Sequence, residues 1–350
     1  MTDYYIALDV HCAFSEMAVM TSSGKLVLRD RCDTRIPALR EVIAKVRRPR
    51  RLTFEEGPLA DWLARELRSS VDELVVCEPR RNSWIARDGD KDDPIDARKL
   101  ADLYRGGYLK PVHQSKSLGR SLLKQQVSLY HDRVKERVRQ GNQLVALFRR
   151  HGVFVKATHT LQDETWHLCL KQLPKSPVLH QGLTLVRQIY ALLRAQEESL
   201  RAGLIGLAKQ EEPIRRFETL PGMGWIRGVT FYAYIDAPQR FRSKAALWRY
   251  SGIGLERRHS GRGPVQTRLS RQGNRRLKNV LLGAAQTAIT QAENVYADKY
   301  QHWTQEGRPA PNARRNVARA IAATLWSLWK TGQAFDAKRV AVPTAHCEQR

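Results

Sequence analysis

Two aspartates three residues apart stand out in residues 87–107, which read RDGDKDDPIDARKLADLYRGG. Pro94 suits the first turn of a helix, where its missing N–H has no intrahelical partner. Asp93 and Asp96 can then face the same side of a helix start. Carboxylates held close together repel each other unless a cation joins them, and Mg²⁺ prefers such oxygen ligands. The alternative is that they only cap the helix and complement its dipole.

Two further acidic positions lie where predicted strands end. Asp9 is near the end of the apolar run YYIALDV, and RLTFEE ends in Glu55 and Glu56. A charge at the end of a buried strand is costly unless it is paired or binds a metal. Sites in open α/β sheets form at such strand ends. These carboxylates are therefore candidates for one site.

The elements that must position them follow an α/β order. Apolar and β-branched runs predict five strands, and 3.6-residue periodicity predicts helices after the third and fourth. The predicted strands are 4–10, 15–21, 25–32, 51–56 and 73–77, and the predicted helices are 34–47 and 59–68. A Ser-Ser-Gly step between the second and third strands indicates a hairpin. This pattern predicts a layered domain with a mixed sheet.

The rest of the chain is predicted to be mostly helical. Long amphipathic segments at 115–149 and 178–210, around a connector at 152–176, indicate an antiparallel helical arm. Pro213 follows where a helix stop is expected. Their spacing is not a strict heptad, so a coiled coil is one interpretation. We divide the chain into an α/β domain (1–110), an arm for oligomerisation (111–215), a C-terminal domain (216–332) and a tail (333–350).

A basic, glycine-rich segment precedes a helix predicted to begin near residue 275. Eight cations and no acid lie between positions 257 and 278: Arg257, Arg258, Arg262, Arg268, Arg271, Arg275, Arg276 and Lys278. Gly261, Gly263, Gly273 and Asn274 predict loops. Such a segment suits contact with a phosphate backbone, and a solvated basic surface is the alternative. The LPGMG turn at 220–224 is either a phosphate-binding turn or a plain glycine turn.

Composition points to a polyanionic partner. Lys and Arg number 60 against 35 Asp and Glu, which gives a formal charge of +25. Nucleic acid is the first candidate and an anionic membrane surface the competitor. The absence of an 18-residue apolar run argues against a spanning helix, and the N-terminus carries no signal-peptide pattern. Five scattered cysteines without a C-x-x-C pair indicate neither a zinc site nor a disulfide framework. We expect a protein that works on intracellular nucleic acid.

Three pieces of sequence, taken in order, resemble one family. They are YIALDVH, then FEEGPLADWL with KDDPIDARKLADLY, then LPGMG with RFRSKAALWRYSGIGLERRHSGRG and LSRQGNRRLKNVLLGAA. Together they resemble the DEDD transposases of the insertion-sequence-110 family, which include the RNA-guided bridge recombinases. The resemblance covers residues 4–107 and 220–285, with a long helical spacer between them.

The resemblance implies a fold and a metal site. The first domain would be RNase H-like, similar to the RuvC-like Holliday-junction resolvases, followed by a coiled-coil arm and a mostly helical transposase domain. Its four acids, bound to Mg²⁺, map to Asp9, Glu55, Asp93 and Asp96. Glu55 is chosen over Glu56 because the family's acid directly follows the apolar run of the strand. Asp92 stands where the family often has Thr and is not counted as a ligand.

The resemblance also implies a serine nucleophile, which maps to Ser260 in its Ser-Gly context. Ser251 and Ser270 precede turns and are set aside. The serine would be activated with the help of the metal or, as the alternative, by His259. Nearby cations would hold the scissile phosphate: Arg257, Arg258, Arg262 and Arg268.

The leading hypothesis is a DNA transposase-recombinase. The resemblance implies DNA element ends and target DNA as partners, a structured guide RNA, a homodimer or tetramer, and a location in the bacterial cytoplasm at the nucleoid, with no membrane. One alternative is a structure-selective nuclease that uses water as its nucleophile. The other is a non-catalytic nucleic-acid-binding protein.

Overall fold

A computed structural model describes residues 3–79, 93–115, 117–258, 266–270, 272–291 and 293–340. At positions 93, 94, 257, 258, 266 and 267 it describes the backbone alone. The chain forms two compact units, Met1–Ser121 and Leu122–Arg350.

The first unit is built on a five-stranded mixed sheet. Its strands are β1 (Tyr4–Val10), β2 (Phe14–Thr21), β3 (Leu26–Asp33), β4 (Arg50–Glu55) and β5 (Glu73–Cys77). They lie in the order β3-β2-β1-β4-β5. The first three form an antiparallel meander, whereas β4 and β5 run parallel to β1. The predicted α/β fold with a mixed sheet is confirmed.

Helices cover both faces of this sheet. They are α1 (Ile36–Ala44), α2 (Ala60–Leu67) and α3 (Asp93–Arg105). Ile6 and Leu8 of β1 lie in the core formed with α1 and α2. Ala7 points to the other face and packs with Ala97 and Leu100 of α3. Because both faces of β1 are covered, its sequence is a nearly continuous apolar run.

The second unit contains nine helices and one hairpin within the described residues. The helices are α4 (Leu118–Arg149), which leads into this unit, α5 (Asp163–Lys171), α6 (Pro177–Gln210), α7 (Glu212–Glu218), α8 (Trp225–Ile235), α9 (Lys244–Tyr250), α10 (Arg275–Thr290), α11 (Val295–Gln305) and α12 (Ala310–Thr331). The hairpin consists of β6 (Leu255–Arg258) and β7 (Gln266–Leu269).

The two longest helices run antiparallel, as the arm prediction requires. Leu144 and Phe148, near the end of α4, share a core with Leu183 and Tyr190, near the start of α6. The predicted connector between them is not all loop, because it contains α5, whose Trp166 meets Phe148 edge to face at 5.7 Å. This short helix escaped the sequence analysis because it is only nine residues long. The coiled-coil interpretation stays a prediction.

One sequence expectation is confirmed and extended, and another needs correction. Pro213 follows the end of α6, as expected, and it also lies in the first turn of α7, where it begins the next helix. The basic segment, expected to be loops, contains the β6–β7 hairpin. Its strands are four residues each and mostly polar, so they carry no clear apolar alternation. No helix within the described ranges is both long and apolar enough to cross a membrane.

Candidate active site

Two of the predicted catalytic carboxylates lie at the ends of neighbouring parallel strands. In the parallel pair formed by β1 and β4, Leu8 is in register with Phe54. Asp9 and Glu55, each the next residue, therefore come together at one edge of the sheet. Both line a cleft of about 300 Å³, which Glu56 and the α2 residues Ala60 and Leu63 also line, so the cleft does not by itself distinguish Glu55 from Glu56.

The alternation of side chains places these two carboxylates on the same face. Leu8 and Phe54 point into the core formed with α1 and α2. Successive residues of a strand point to opposite faces, so Asp9 and Glu55 face the side that α3 covers. Glu56, one residue beyond the end of β4, is exposed. This register favours Glu55 over Glu56 as the partner of Asp9.

The direction of α3 brings its first turn to the same edge. At its far end, the ring of Tyr104 contacts that of Tyr5, near the start of β1, at 5.5 Å. Arg105 donates a hydrogen bond to the Ser22 carbonyl at 3.5 Å, in the turn after β2. The helix therefore runs antiparallel to β1. A 13-residue helix and a seven-residue strand have similar lengths, roughly 20 Å, so Asp96 lies toward the level of Asp9.

The rest of the predicted metal set is only partly visible. Asp93 is the first residue of α3, which agrees with the helix start expected at Pro94, but its side chain is not described. Asp92 lies outside the described residues. Among the side chains that are described, no group of three or more His, Cys, Asp or Glu is close enough to hold a metal ion. The four-carboxylate site therefore stays a prediction, supported by the backbone framework.

Sequence reasoning missed two residues beside Asp9. His11 places its Nε2 3.1 Å from an Asp9 carboxylate oxygen, which orients that carboxylate. Glu16 is the cross-strand neighbour of Asp9 on β2 and is 9% exposed. Two carboxylates opposite each other repel, and Arg31 balances Glu16 at 3.5 Å. The hairpin register could have revealed Glu16, because the short turn fixes which residues pair.

The predicted nucleophile belongs to the chain that joins β6 to β7. These strands pair from Leu255 with Leu269 to Arg258 with Gln266. Ser260 and its neighbours His259, Gly261, Arg262 and Gly263 lie outside the described residues, as does Arg271. Arg257 and Arg258 are placed in β6 by their backbone alone.

The base of this hairpin is tied to the core by backbone contacts. Ser270 donates its N–H to the Gly254 carbonyl at 3.0 Å, and Asn274 donates to the Tyr250 carbonyl at 2.7 Å. Gly273 has a φ of +143°, and a Cβ there would lie 2.6 Å from the backbone of Gly252. Gly273 is therefore required by close backbone packing, whereas the sequence predicted a loop suited to phosphate contact at this position.

The two serines set aside from the sequence are both buried. Ser251 is fully buried, and Ser270 is 7% exposed. The Ser270 hydroxyl oxygen lies within hydrogen-bond distance of two acceptors, the Glu256 carboxylate and the Gln272 carbonyl. Neither hydroxyl is open to a large substrate in this fold.

The described cations of the basic segment differ in their surroundings. Arg275 is exposed at the start of α10, and Lys278 is partly exposed one turn later. Arg276 turns inward instead: it donates to Tyr234 and to the Asp132 carboxylate, both at 2.6 Å, and also to Ser128. Arg276 thus fastens α10 to α4 and α8, and its charge is already balanced.

The LPGMG turn is a packing turn. Gly222 has a φ of +80°, and a Cβ there would collide with the Ala284 carbonyl of α10. Its N–H donates to the Gln291 side chain at 3.1 Å. The plain glycine turn, one of the two interpretations open from the sequence, fits this arrangement.

Comparison with known proteins finds two family matches on these two regions. Residues 6–152 match a transposase family of the IS110 DEDD type, and residues 214–301 match the transposase family IS116/IS110/IS902. The first match includes Asp9, Glu55, Asp93 and Asp96. The second includes Ser260 and the basic segment.

One curated relative is the transposase for insertion sequence element IS1111A of Coxiella burnetii. It is 22% identical to this chain over 246 residues, which are 68% of this chain and 66% of the relative. The match thus spans just under two thirds of the relative's length. Both the family matches and this relative confirm the resemblance drawn from the sequence. The chain belongs to the IS110 family of transposases.

Proposed function

We propose that this chain is a DNA transposase-recombinase that cuts DNA strands and rejoins them through a serine–DNA link. The observation that carries the proposal is the meeting of Asp9 and Glu55 at the ends of two parallel strands. They face the side covered by α3, which begins at Asp93 and carries Asp96 toward that edge. A nucleic-acid-binding surface alone would not require acids at this edge, because they repel phosphates.

We infer that the first unit is RNase H-like. The sheet order β3-β2-β1-β4-β5, with an antiparallel meander on one side of β1 and parallel strands on the other, supports this assignment. Helix α3 covers the face of the sheet on which Asp9 and Glu55 lie, and α1 and α2 cover the other face, so the unit has three layers. The proposed boundaries are those derived from the sequence, with an arm at 111–215 and a transposase domain at 216–332.

The edge of the sheet at which Asp9 and Glu55 lie, here called the carboxylate edge, is suited to a divalent ion. Asp9, Glu55, Asp93 and Asp96 would hold Mg²⁺, which prefers hard oxygen donors, and the cation would offset their mutual repulsion. When bound, it would stabilise charge on the attacking and leaving oxygens of a phosphodiester. His11 would keep the Asp9 carboxylate in one orientation, as residues beside metal ligands do.

The proposed covalent step uses Ser260. Its Oγ forms a bond to the scissile phosphorus as the bond from phosphorus to the leaving strand oxygen breaks. The hydroxyl proton passes to a base, for which His259 is one candidate, and the leaving oxygen takes up a proton. Four cations would neutralise the phosphate as its charge develops: Arg257, Arg258, Arg262 and Arg268. Rejoining reverses the step with a different strand.

The proposed partners are DNA, a structured guide RNA and further copies of the chain. The formal charge of +25 supports nucleic acid. Copies could associate through α6, where Leu185, Ile189 and Leu192 are 54%, 46% and 59% exposed. A row of exposed apolar side chains at helical spacing is typical of an interface. The proposed location is the bacterial cytoplasm, at the nucleoid.

Trapping of the protein–DNA link tests this proposal. The gene would be expressed with its native flanking DNA, any co-purified RNA sequenced, and the complex incubated with element-end DNA and Mg²⁺ before denaturation. We expect a covalent adduct with the wild type and with Ser199→Ala, an exposed serine of α6. We expect none with Ser260→Ala or Asp9→Asn.

Other outcomes separate the alternatives. Normal cleavage by Ser260→Ala together with loss of cleavage in Asp9→Asn would indicate a nuclease that uses water. Unchanged activity in both variants would favour a non-catalytic nucleic-acid-binding protein. A single discrete RNA that maps to the flanking DNA would support the guide, whereas heterogeneous RNA would count against it.

A further inference from the structure

A cationic cleft in the second unit lies between the β6–β7 hairpin and helix α12. It consists of two adjoining pockets, of about 520 and 770 Å³, that share Leu255, Asn316 and Arg319. The larger pocket also reaches α9 and α11. Of the residues that line it, Arg268 is one of the cations that the resemblance assigns to the scissile phosphate. The other lining residues have no role in the catalytic proposal.

Arginine dominates the smaller pocket. Among the described side chains, no acidic residue lines it. Four arginines do: Arg268, Arg308, Arg315 and Arg319. On α12, Asn312, Arg315, Asn316 and Arg319 follow at intervals of three, one and three residues, which places them on one helical face. The face therefore alternates amides with guanidinium groups.

Neutral oxygens position two of these arginines, Arg315 and Arg319, without balancing their charge. Arg315 donates to the Asn312 side chain at 2.8 Å, and Arg319 donates to Asn316 at 2.6 Å. Arg319 also donates to the backbone carbonyl of Ile253 at 2.7 Å. Arg308 does have a carboxylate partner, Glu306 at 3.4 Å.

This arrangement costs stability unless an anion binds. Arg315 and Arg319 are four residues apart on one helix, and like charges at that spacing repel. Burial, together with the charge of Arg315, lowers the pKa of Arg319 below its ordinary value. The Nε of Arg268 is buried and has no hydrogen-bond acceptor among the described residues. A planar guanidinium group matches the geometry of phosphate oxygens.

The adjoining pocket adds aromatic surface. Trp248 and Trp303 line it together with Lys299, whose Nζ is 5.9 Å from the centre of the Trp303 ring. The Trp248 indole N–H donates to the Arg319 carbonyl at 3.0 Å, which joins the two pockets. Partly exposed aromatic rings beside cations are how proteins stack unpaired bases while holding the backbone.

We propose that this cleft binds a single-stranded nucleic-acid segment, with a phosphodiester on Arg268, Arg315 and Arg319 and a base against Trp303. This cleft would add a binding site to the proposed transposase. The proposal rests on the proposed function only for where the bound strand comes from. A base paired within a duplex cannot reach a pocket wall in this way, because both of its faces are already stacked. RNA and DNA share the chemistry that the cleft recognises.

Binding of labelled oligonucleotides to the full-length protein tests the cleft. Fluorescence anisotropy would compare Arg315→Ala with Arg314→Ala, which removes the same charge from the same helix but contacts Gln286 of α10 instead. On single strands of about 15 nucleotides, we expect Arg315→Ala to bind about tenfold more weakly. Its salt slope should fall by about 0.7. Arg314→Ala should bind like the wild type.

Photocrosslinking locates the base. An oligonucleotide carrying 5-bromouracil, in RNA and DNA forms, should crosslink to peptides that contain Trp303 or Trp248, and the form that crosslinks more efficiently identifies the source. Equal affinities for Arg315→Ala and Arg314→Ala, or a preference for duplex, would overturn the cleft and leave the proposed transposase function standing. If the wild type bound no nucleic acid in any form, both proposals would fall.

Discussion

The carboxylate edge of the first unit and the arginines of the second unit differ in the groups that lie beside their charges. At the edge, Asp9 and Glu55 are brought together by two strands whose register leaves little freedom. In the second unit, the arginines differ in the groups to which they donate hydrogen bonds. Arg276 is paired with the carboxylate of Asp132, whereas Arg315 donates to the neutral amide of Asn312.

The comparison shows that a charge acquires its role from its partners. The charge of Arg276 is balanced by a carboxylate within the fold, whereas Arg315 donates to a neutral amide and its charge is left to attract an anion. The acids of the first unit follow the same rule, because Glu16 is balanced by Arg31.

The largest effect is expected at the carboxylate edge. Asp9→Asn should slow strand cleavage about a thousandfold, because a bound ion supplies several kcal/mol and each 1.4 kcal/mol is a factor of ten. Glu55→Gln should do the same, whereas Glu56→Gln should stay within about threefold of the wild type. Cleavage rates of labelled element-end DNA would be measured at saturating Mg²⁺. An equal loss in Glu56→Gln and Glu55→Gln would contradict the register argument.

The next effect separates two glycines of the second unit. Gly222→Ala should lower the free energy of unfolding by about 1–3 kcal/mol, since its positive φ and its contact with Ala284 exclude a side chain. Gly206→Ala in α6 meets nothing within 4 Å and should raise it by about 0.5–1 kcal/mol. Urea denaturation checks both values. Tolerance of Gly222→Ala, with loss of nucleic-acid binding, would restore the phosphate-turn interpretation.

Neighbouring arginines at the start of α10 should differ in the property they affect. Arg276→Ala should cost about 2 kcal/mol of stability, because it removes hydrogen bonds that involve charged groups. Arg275→Ala should leave stability unchanged and weaken nucleic-acid binding in a salt-dependent way. Urea denaturation and anisotropy titrations on the same two variants distinguish these effects. If Arg276→Ala instead weakened nucleic-acid binding and left stability unchanged, Arg276 would belong to the nucleic-acid interface.

The smallest effect concerns pH. Burial, followed by the nearby charge of Arg276, lowers the pKa of His131, which hydrogen-bonds with Thr230 at 3.0 Å. The folded state thus disfavours protonation, so stability is complete above the unfolded pKa of about 6.5. It should decrease as pH falls below that value. Melting temperatures between about pH 5 and 8 would show this, and His131→Gln should flatten the dependence.

Much of the first unit could be predicted from the sequence because local patterns agree with the fold. The run YYIALDV is β1, and the predicted helix start at Pro94 falls in the first turn of α3. The ordering of β1 beside β4 could not be predicted, since it depends on pairing between distant segments. That pairing is what brings Asp9 to Glu55.

The second unit was less predictable for physical reasons. The strands of the β6–β7 hairpin are short and polar, so they have no periodic signal. Gly273 was assigned to a loop because its packing against Gly252 is a tertiary contact. The cleft formed by Arg268 and Arg319 joins residues about fifty positions apart, and charge counting alone could not separate it from Arg276. The family resemblance supplied Ser260, which lies outside the described residues.

Iron-mediated cleavage of the protein would show whether a divalent ion binds at the carboxylate edge. Fe²⁺ would replace Mg²⁺, and ascorbate with peroxide would generate hydroxyl radicals that cut the backbone near the metal. We expect cuts close to Asp9, Glu55 and Asp96, which excess Mg²⁺ suppresses and Asp9→Asn weakens. Cuts elsewhere in the chain, or cuts at this edge that Mg²⁺ does not suppress, would contradict this expectation.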